Sequence, residues 1–192
     1  MSTTPTAIGR TFDGVTIPEP GTFALDAPHT TVGFVARHLM VSKVRGSFTE
    51  VAGTIIIADA PLESSVDVTI GAGSINTGSP DRDQHLRSND FLDLENHPEI
   101  TFRSTRVAKY TGTEFVLVGD LTIRGVTREV DLSVEFDGLA RSPWGQEVIA
   151  FTATTEIDRE AFGITWNQAL ETGGVLVSKT VKIEISAEAT RA

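Results

Sequence analysis

From Glu129 to Phe136 the chain alternates without exception, with Val130, Leu132, Val134 and Phe136 set between Glu129, Asp131, Ser133 and Glu135. A two-residue apolar period describes a strand with one dry face and one wet face. The same pattern recurs in Val66, Val68 and Ile70, in Ile149, Phe151 and Ala153, and in Val181, Ile183 and Ile185. It predicts strands near 22–26, 31–40, 47–58, 65–72, 99–109, 114–123, 127–137, 147–157 and 178–189. Turns at Thr111-Gly112, Asp137-Gly138 and Gly173-Gly174 are expected to separate some of them.

One segment departs from this pattern. In Ser79 to Arg87, Ser79 suits a helix N-cap and Pro80 the first helical position, while Asp81 and Asp83 favour the positive helix end. A short helix is expected there. Phe91, Leu92 and Leu94 would fix it against one end of the sheet, and Asn96-His97-Pro98 returns the chain to a strand, since the residue before a proline avoids helical geometry.

Many one-faced strands must share an interior, either between two sheets or inside one closed sheet. Strands 114–123 and 47–58 are apolar on both faces, with Val116 and Val118 opposing Phe115, Leu117, Leu121 and Ile123, and with Ile55, Ile56 and Ile57 consecutive. The helical segment and the loop from Ala161 to Leu176 are the available covers for their outer sides. A closed barrel of about eight strands accounts for the polar outer faces elsewhere, leaves no unpaired edge and encloses room for one small ligand. Periodicity prefers it over a sandwich without rejecting the latter.

At 192 residues the chain fits one all-β domain, and residues 1–20, rich in Thr, Pro and Gly, read as a flexible lead-in to a domain spanning 21–192. The net charge of -10, with no two basic residues adjacent, argues against nucleic acid and against stable membrane insertion, while allowing brief contact for lipid exchange. There are no cysteines, which excludes disulfides, thiolate metal sites and cysteine nucleophiles. The N-terminus has no apolar signal core, so the expected location is cytoplasmic.

Four signatures, in order, resemble the YceI-like, polyisoprenoid-binding family. The first is Leu25-Asp26-Ala27-Pro28-His29 leading to Val32-Gly33-Phe34, Arg37-His38-Leu39 and Lys43-Val44-Arg45-Gly46-Ser47-Phe48. The second is the stretch from Arg82 to Phe91 with His97-Pro98-Glu99-Ile100-Thr101-Phe102. The third and fourth run from Gly119 to Arg128 and from Ile157 to Asn167. The resemblance implies a closed eight-stranded antiparallel barrel of lipocalin-like shape, a helical elaboration, and an elongated apolar tunnel for an isoprenoid or similar lipid. It also implies a non-enzymatic carrier or sequestering role. The chain departs from relatives that are exported, and it carries Phe91-Leu92 where they often have a doubled Phe.

Strand parity nominates Phe34, Ala36, Ile100, Phe102, Phe115, Leu117, Leu121, Leu132, Val134, Phe136, Phe151 and Ile183 as tunnel lining, with Trp166 as a lid and His38 at a ligand's polar head. Each is equally at home in an ordinary core; only the set, in a thinly filled barrel, marks a cavity. Arg82, His85 and Arg87 are candidate head-group contacts, although an Arg-Asp pair at a helix start more often caps and pins the helix. The histidines His29, His38, His85 and His97 lack compact metal-ligand spacing, so no metal and no cofactor are expected.

Asp83, His85 and Ser88 have the residue types of a hydrolase, but no nucleophile elbow, P-loop or His-Glu-x-x-His occurs, and no catalytic residue is assigned. The resulting expectation is a lipid-binding barrel that transports or sequesters a long-chain isoprenoid or other lipid. A stress-related interaction domain with a filled core is the second reading and a hydrolase the third. A homodimer through an exposed strand edge is compatible with the sequence.

Overall fold

The computed structural model describes residues 8–192. Its strands are β1 (Arg10–Phe12), β2 (Val15–Ile17), β3 (Gly21–Leu25), β4 (Thr31–His38), β5 (Ser42–Phe48), β6 (Val51–Ile57), β7 (Ser65–Gly71) and β8 (Ile75–Asn76), then, after helix α1 (Pro80–Arg87), β9 (Glu99–Thr111), β10 (Glu114–Ile123), β11 (Val126–Arg141), β12 (Glu147–Asp158) and β13 (Thr180–Arg191). The sheet order β12-β11-β10-β9-β7-β6-β3-β13 is closed by a direct β12–β13 pairing. This is the eight-stranded antiparallel barrel expected from the alternation and the resemblance. β3 and β4 form one strand broken by the short turn Ala27–His29, and both pair with β13; β5 and β6 follow them in the same way.

The closing ladder between β12 and β13 runs from Val148↔Thr190 to Asp158↔Thr180 without a register break. Its alternation aims Phe151, Ala153, Ile183 and Ile185 inward, where aliphatic and aromatic side chains merge into one interior cluster. A second cluster of Phe23, Ile55, Phe136, Ile149 and Ala189 fills the barrel end where the chain enters and leaves. That entry end is clamped by Arg191. Its guanidinium makes two bonds to Glu147, at 2.7 and 2.9 Å, reaches the carbonyls of Pro20 and Glu19, and lies 4.6 Å from the centre of the Phe23 ring. The bidentate pairing raises the Arg191 pKa further, so its guanidinium stays charged.

The helix occupies the expected residues, yet the Ser79 side chain makes no capping bond. Asp83, in the first turn, instead ties the helix to the chain before it: buried, it accepts from the backbone N–H and the hydroxyl of Thr77. Helix and loop close the opposite barrel end rather than covering the outer face of β10, because Leu86, Phe91, Phe162, Ile164 and Trp166 all join the interior cluster.

Three segments differ from expectation. Residues 10–17, expected to be part of a flexible lead-in, form the β1–β2 hairpin, with Val15 and Ile17 packed on the entry-end cluster; residues 1–7 lie outside the described residues. Ser42–Phe48 is a full strand although Val44 is the only aliphatic residue in it, because pairing with β4 satisfies its backbone regardless of side chain. Asp137-Gly138 is not a turn. β11 continues through it, with a register shift between Phe136 and Gly138 that bends the strand around the barrel end.

Two outcomes test this packing. Phe23→Ala, at a fully buried ring, is expected to lower unfolding free energy by about 3–5 kcal/mol in chemical denaturation. His29 pins the Ala27–His29 turn through Nδ1, 2.9 Å from Asp26 and 3.9 Å from Glu188 of β13, and the Asp26 hydrogen bond, then the charges of Asp26 and Glu188, raise its pKa above the ordinary 6.5. A raised folded-state pKa gives stability that is fully present below about pH 6.5 and lost as pH rises through the higher value. Thermal melts of wild type against His29→Gln should therefore show a small wild-type advantage in acid that disappears in alkali.

Candidate functional site

The strand interiors do not meet. Inside the ring lies a cavity of about 360 Å³, within the range of about 300–1,000 Å³ typical of ligand pockets. Its wall runs from Phe12, Ile17, Leu62 and Tyr110 at the entry end to Leu86, Phe91, Ile164 and Val177 at the helix end, so it spans the barrel lengthwise. Most lining side chains are aliphatic or phenyl, Arg159 at the helix end being the charged residue among them, and the ion pairs of the strands stay on the outer face. Arg103–Asp67, Arg106–Glu129 and Arg45–Glu184 are all exposed pairs of that kind, and contribute little to stability individually.

The helix end is stoppered by rings. Trp166 packs on Phe91 at 5.2 Å and edge-on against His85 at 4.8 Å, while His85 Nε2 is 2.8 Å from Asp90. Behind them Arg159, only 4% exposed, spends its guanidinium on the loop that carries Trp166. Its Nε donates to the Ser178 carbonyl at 2.9 Å and its Nη1 to those of Ile164 and Trp166 at 2.7 and 2.9 Å, with a longer contact from Nη2 to Val177. Burial draws the Arg159 pKa down, and the charges of Glu160 and Asp158 oppose that shift. The Asn167 amide holds Val177 on both its N–H and its carbonyl. A second tie comes from the two-residue turn Arg124-Gly125, where Arg124 Nη1 donates to the Phe91 carbonyl at 3.0 Å and Gly125, at φ 72°, lies where any Cβ would meet His97 at 2.7 Å.

The entry end is built differently. Opposite Phe115, β9 contributes two residues, Lys109 and Tyr110, between the pairs Ala108↔Val116 and Thr111↔Glu114. Lys109 takes the left-handed φ of 49° that this bulge requires. The extra residue reverses the alternation after Val107, so Tyr110 rather than Lys109 turns into the cavity, 5.4 Å from the Phe12 ring of β1.

Of the residues nominated from parity, Phe34, Ala36, Ile100, Phe102, Phe115, Leu117, Leu121, Leu132, Val134, Phe136, Phe151 and Ile183 stand on the cavity wall. His38 does not; its backbone bridges to Val177 at the hairpin beyond the barrel rim. Trp166 sits behind Phe91 rather than on the wall. Arg82 binds the Thr77 hydroxyl and carbonyl, and Arg87 the carbonyls of Gly73 and Ile75, so both guanidiniums pin α1 to the chain before it. His85 is held by Asp90 and two rings. Ser88 donates to the His85 backbone carbonyl, not to its ring, so the hydrolase arrangement of Asp83, His85 and Ser88 is not assembled.

Parity missed Val66, Val68, Ile70, Val107, Val130, Ile185 and Tyr110. The alternation of 65–72 and 178–189 already contained most of these. In β9 a register shift between Ser104 and Arg106 puts Val107 inward against the parity of Ile100 and Phe102, while Tyr110 keeps that parity but lies beyond the strand expected over 99–109. Folding also gathers His29, Asp26 and Glu188 within 4.8 Å of one another, a grouping that spacing did not contain since Glu188 arrives from the last strand. It is a solvent-facing ion pair at the Ala27–His29 joint.

A closed antiparallel barrel around a carbon-walled cavity stoppered at both ends defines a lipocalin-like barrel. The YceI-like domain model matches residues 23–189, and the chain belongs to the YceI-like family. It is 42% identical over 175 residues to a UPF0312 protein of Staphylococcus aureus, covering 86% of this chain and 95% of that one, and 41% identical over the same length to a UPF0312 protein of Staphylococcus epidermidis. Among solved structures, BcnA of Burkholderia cenocepacia superposes with a TM-score of 0.75 at 21% identity, covering 85% of this chain and 98% of BcnA. The Campylobacter jejuni YCEI protein gives 0.70 at 30% identity, with 81% and 90% covered. A polyisoprenoid binding domain from Saccharophagus degradans gives 0.68 at 14% identity, with 91% and 100% covered.

Replacing Arg159 by Lys keeps the charge and removes the planar fork that serves several carbonyls at once. The expected result is a local loss of about 2 kcal/mol, read as roughly tenfold or more faster hydrogen exchange at the Ile164 and Ser178 amides with the β12–β13 ladder still protected.

Proposed function

We propose that this protein is a non-enzymatic carrier that holds a polyisoprenoid, or a similarly long apolar chain, inside the barrel and shields it from water. The observation that carries the reading is the 360 Å³ cavity walled by carbon along its length. Each Å² of tail taken from water into such a wall contributes roughly 25 cal/mol, without directional contacts. A shape that admits a slender chain therefore suffices for affinity. The naming of the Saccharophagus degradans neighbour as a polyisoprenoid binding domain supports the same class of ligand. Among the described residues no helix is long and apolar enough to cross a membrane.

The histidine–carboxylate pairs His85–Asp90 and His29–Asp26 are not on the wall, and Arg159, which is, is bonded to backbone carbonyls. A filled-core interaction domain would bring Phe102, Leu132 and Phe136 into mutual contact; here all three border the cavity.

Native mass spectrometry of protein purified without detergent is expected to show a lipid-mass adduct, and extracted protein should take up long-chain isoprenoids again. An invariant apo mass together with no uptake would sink the reading. A narrower version targets Ala153, which is buried on the wall beside Val134 and Ile185. Ala153→Phe projects a ring into the empty space, so ligand uptake should fall about tenfold or more, while overpacking costs the ligand-free protein only about 1–3 kcal/mol in denaturant titration.

A further inference from the structure

Two buried side-chain polar atoms have no hydrogen-bond partner among the described residues, Tyr110 Oη and Arg10 Nε. Both lie at the entry end. Arg10 and Phe12 share a face of β1, Arg10 anchoring that strand by donating from Nη1 to the Asp59 carbonyl and from Nη2 to the Ala58 carbonyl, and Phe12 stacking on Tyr110. Buried polar groups in native proteins are almost always partnered, and an orphan calls for an explanation. Tyr110 is also the chain's only tyrosine, and a β-bulge with Lys109 in a left-handed conformation is what turns it inward. Phenylalanine would fill the same space without leaving a hydroxyl bare.

We propose that Tyr110 Oη is the head-group site, donating a hydrogen bond to the oxygen of a carbonyl or carboxyl at the end of the ligand's apolar tail. This rests on the carrier reading and adds a direction to it: head beneath the Arg10–Ile17 hairpin, tail toward α1. Burial, and then the charge of Asp13, raise the phenol pKa, so the hydroxyl keeps its proton and acts as a donor across physiological pH. At the helix end the guanidiniums of Arg82, Arg87, Arg124 and Arg159 are all committed to protein oxygen atoms.

The test compares wild type with Tyr110→Phe against three probes: squalane, which has no oxygen, a prenylated benzoquinone, and palmitic acid. Tyr110→Phe should leave squalane binding and the ligand-free melting temperature unchanged, or raise the latter. It should weaken the quinone, the fatty acid or both by about three- to tenfold. A loss confined to the quinone identifies the head as a carbonyl; one confined to palmitic acid identifies it as a carboxyl.

Equal effects on all three probes, or none on any, would overturn the assignment while leaving the carrier reading intact, as would a fall in ligand-free stability, which would show the hydroxyl already bonded within the protein. Failure of wild type to bind any probe would remove both.

Discussion

Everything in this molecule follows from the ladder between β12 and β13, which joins the last strand to the ring and leaves it without a seam. Closure satisfies the backbone of strands that would otherwise offer open edges, and it fixes the diameter of the ring through the number and tilt of its strands. The inward side chains then have to occupy a space set by the backbone rather than by their own volume. Here they do not fill it. Atoms facing the 360 Å³ cavity lack partners on one side and forgo dispersion contacts that a packed core would provide. An apolar occupant would restore those contacts and remove its own surface from water.

The two ends solve different problems. At the helix end, polar groups are consumed internally: Arg159 feeds the carbonyls of the loop after β12, Arg124 the carbonyl of Phe91, and Arg87 those of Gly73 and Ile75. Arg159 and Arg87 each replace more than one missing backbone partner, and Arg124 one, which irregular chain next to an apolar interior requires. At the entry end the Arg191–Glu147 clamp does the equivalent work from outside, and the bulge in β9 leaves a hydroxyl facing in. The helix end thus has its guanidiniums bound to protein oxygens, while at the entry end Tyr110 Oη and Arg10 Nε have no partner among the described residues.

How much of this was readable in the residues follows from the range of each interaction. The two-residue alternation is local, so strands such as 114–123 and the wall residues Leu132, Val134 and Phe136 could be named without coordinates. The helix from Pro80 was equally plain, because its start signals lie within one turn. Its tie to the chain before it was not. Asp83 reaches back to Thr77, and nothing in the spacing distinguishes that from a free acidic residue of the first turn. Strand β5 was hidden because its backbone is paired by β4 and its side chains are largely polar. The hairpin at Arg10–Ile17 was hidden because its partners, the carbonyls of Ala58 and Asp59, lie dozens of residues away. Bulges defeat parity locally: the register shift between Ser104 and Arg106 puts Val107 inward against the period of Ile100 and Phe102, and the second shift, at Lys109, restores that period at Tyr110, one residue past the strand expected from the sequence.

That last failure has a physical meaning. A carbon wall discriminates weakly, since one methylene more or less in an apolar pocket changes binding by only about 1–3 kcal/mol. Selectivity between ligands of similar girth has to come from a polar group whose partner is missing when the wrong molecule is bound. Such a group violates the alternation that builds the barrel, so it enters only where the alternation is broken, and the break is sustained by a non-glycine residue held at positive φ. The interior of β9 obeys the period from Ile100 to Phe102, shifts before Val107, and shifts again beside the one inward hydroxyl left without a partner among the described residues. The second shift and the polar group belong together, because without it the alternation running on from Val107 would point the lysine ammonium at 109 into the hydrocarbon and the tyrosine into water.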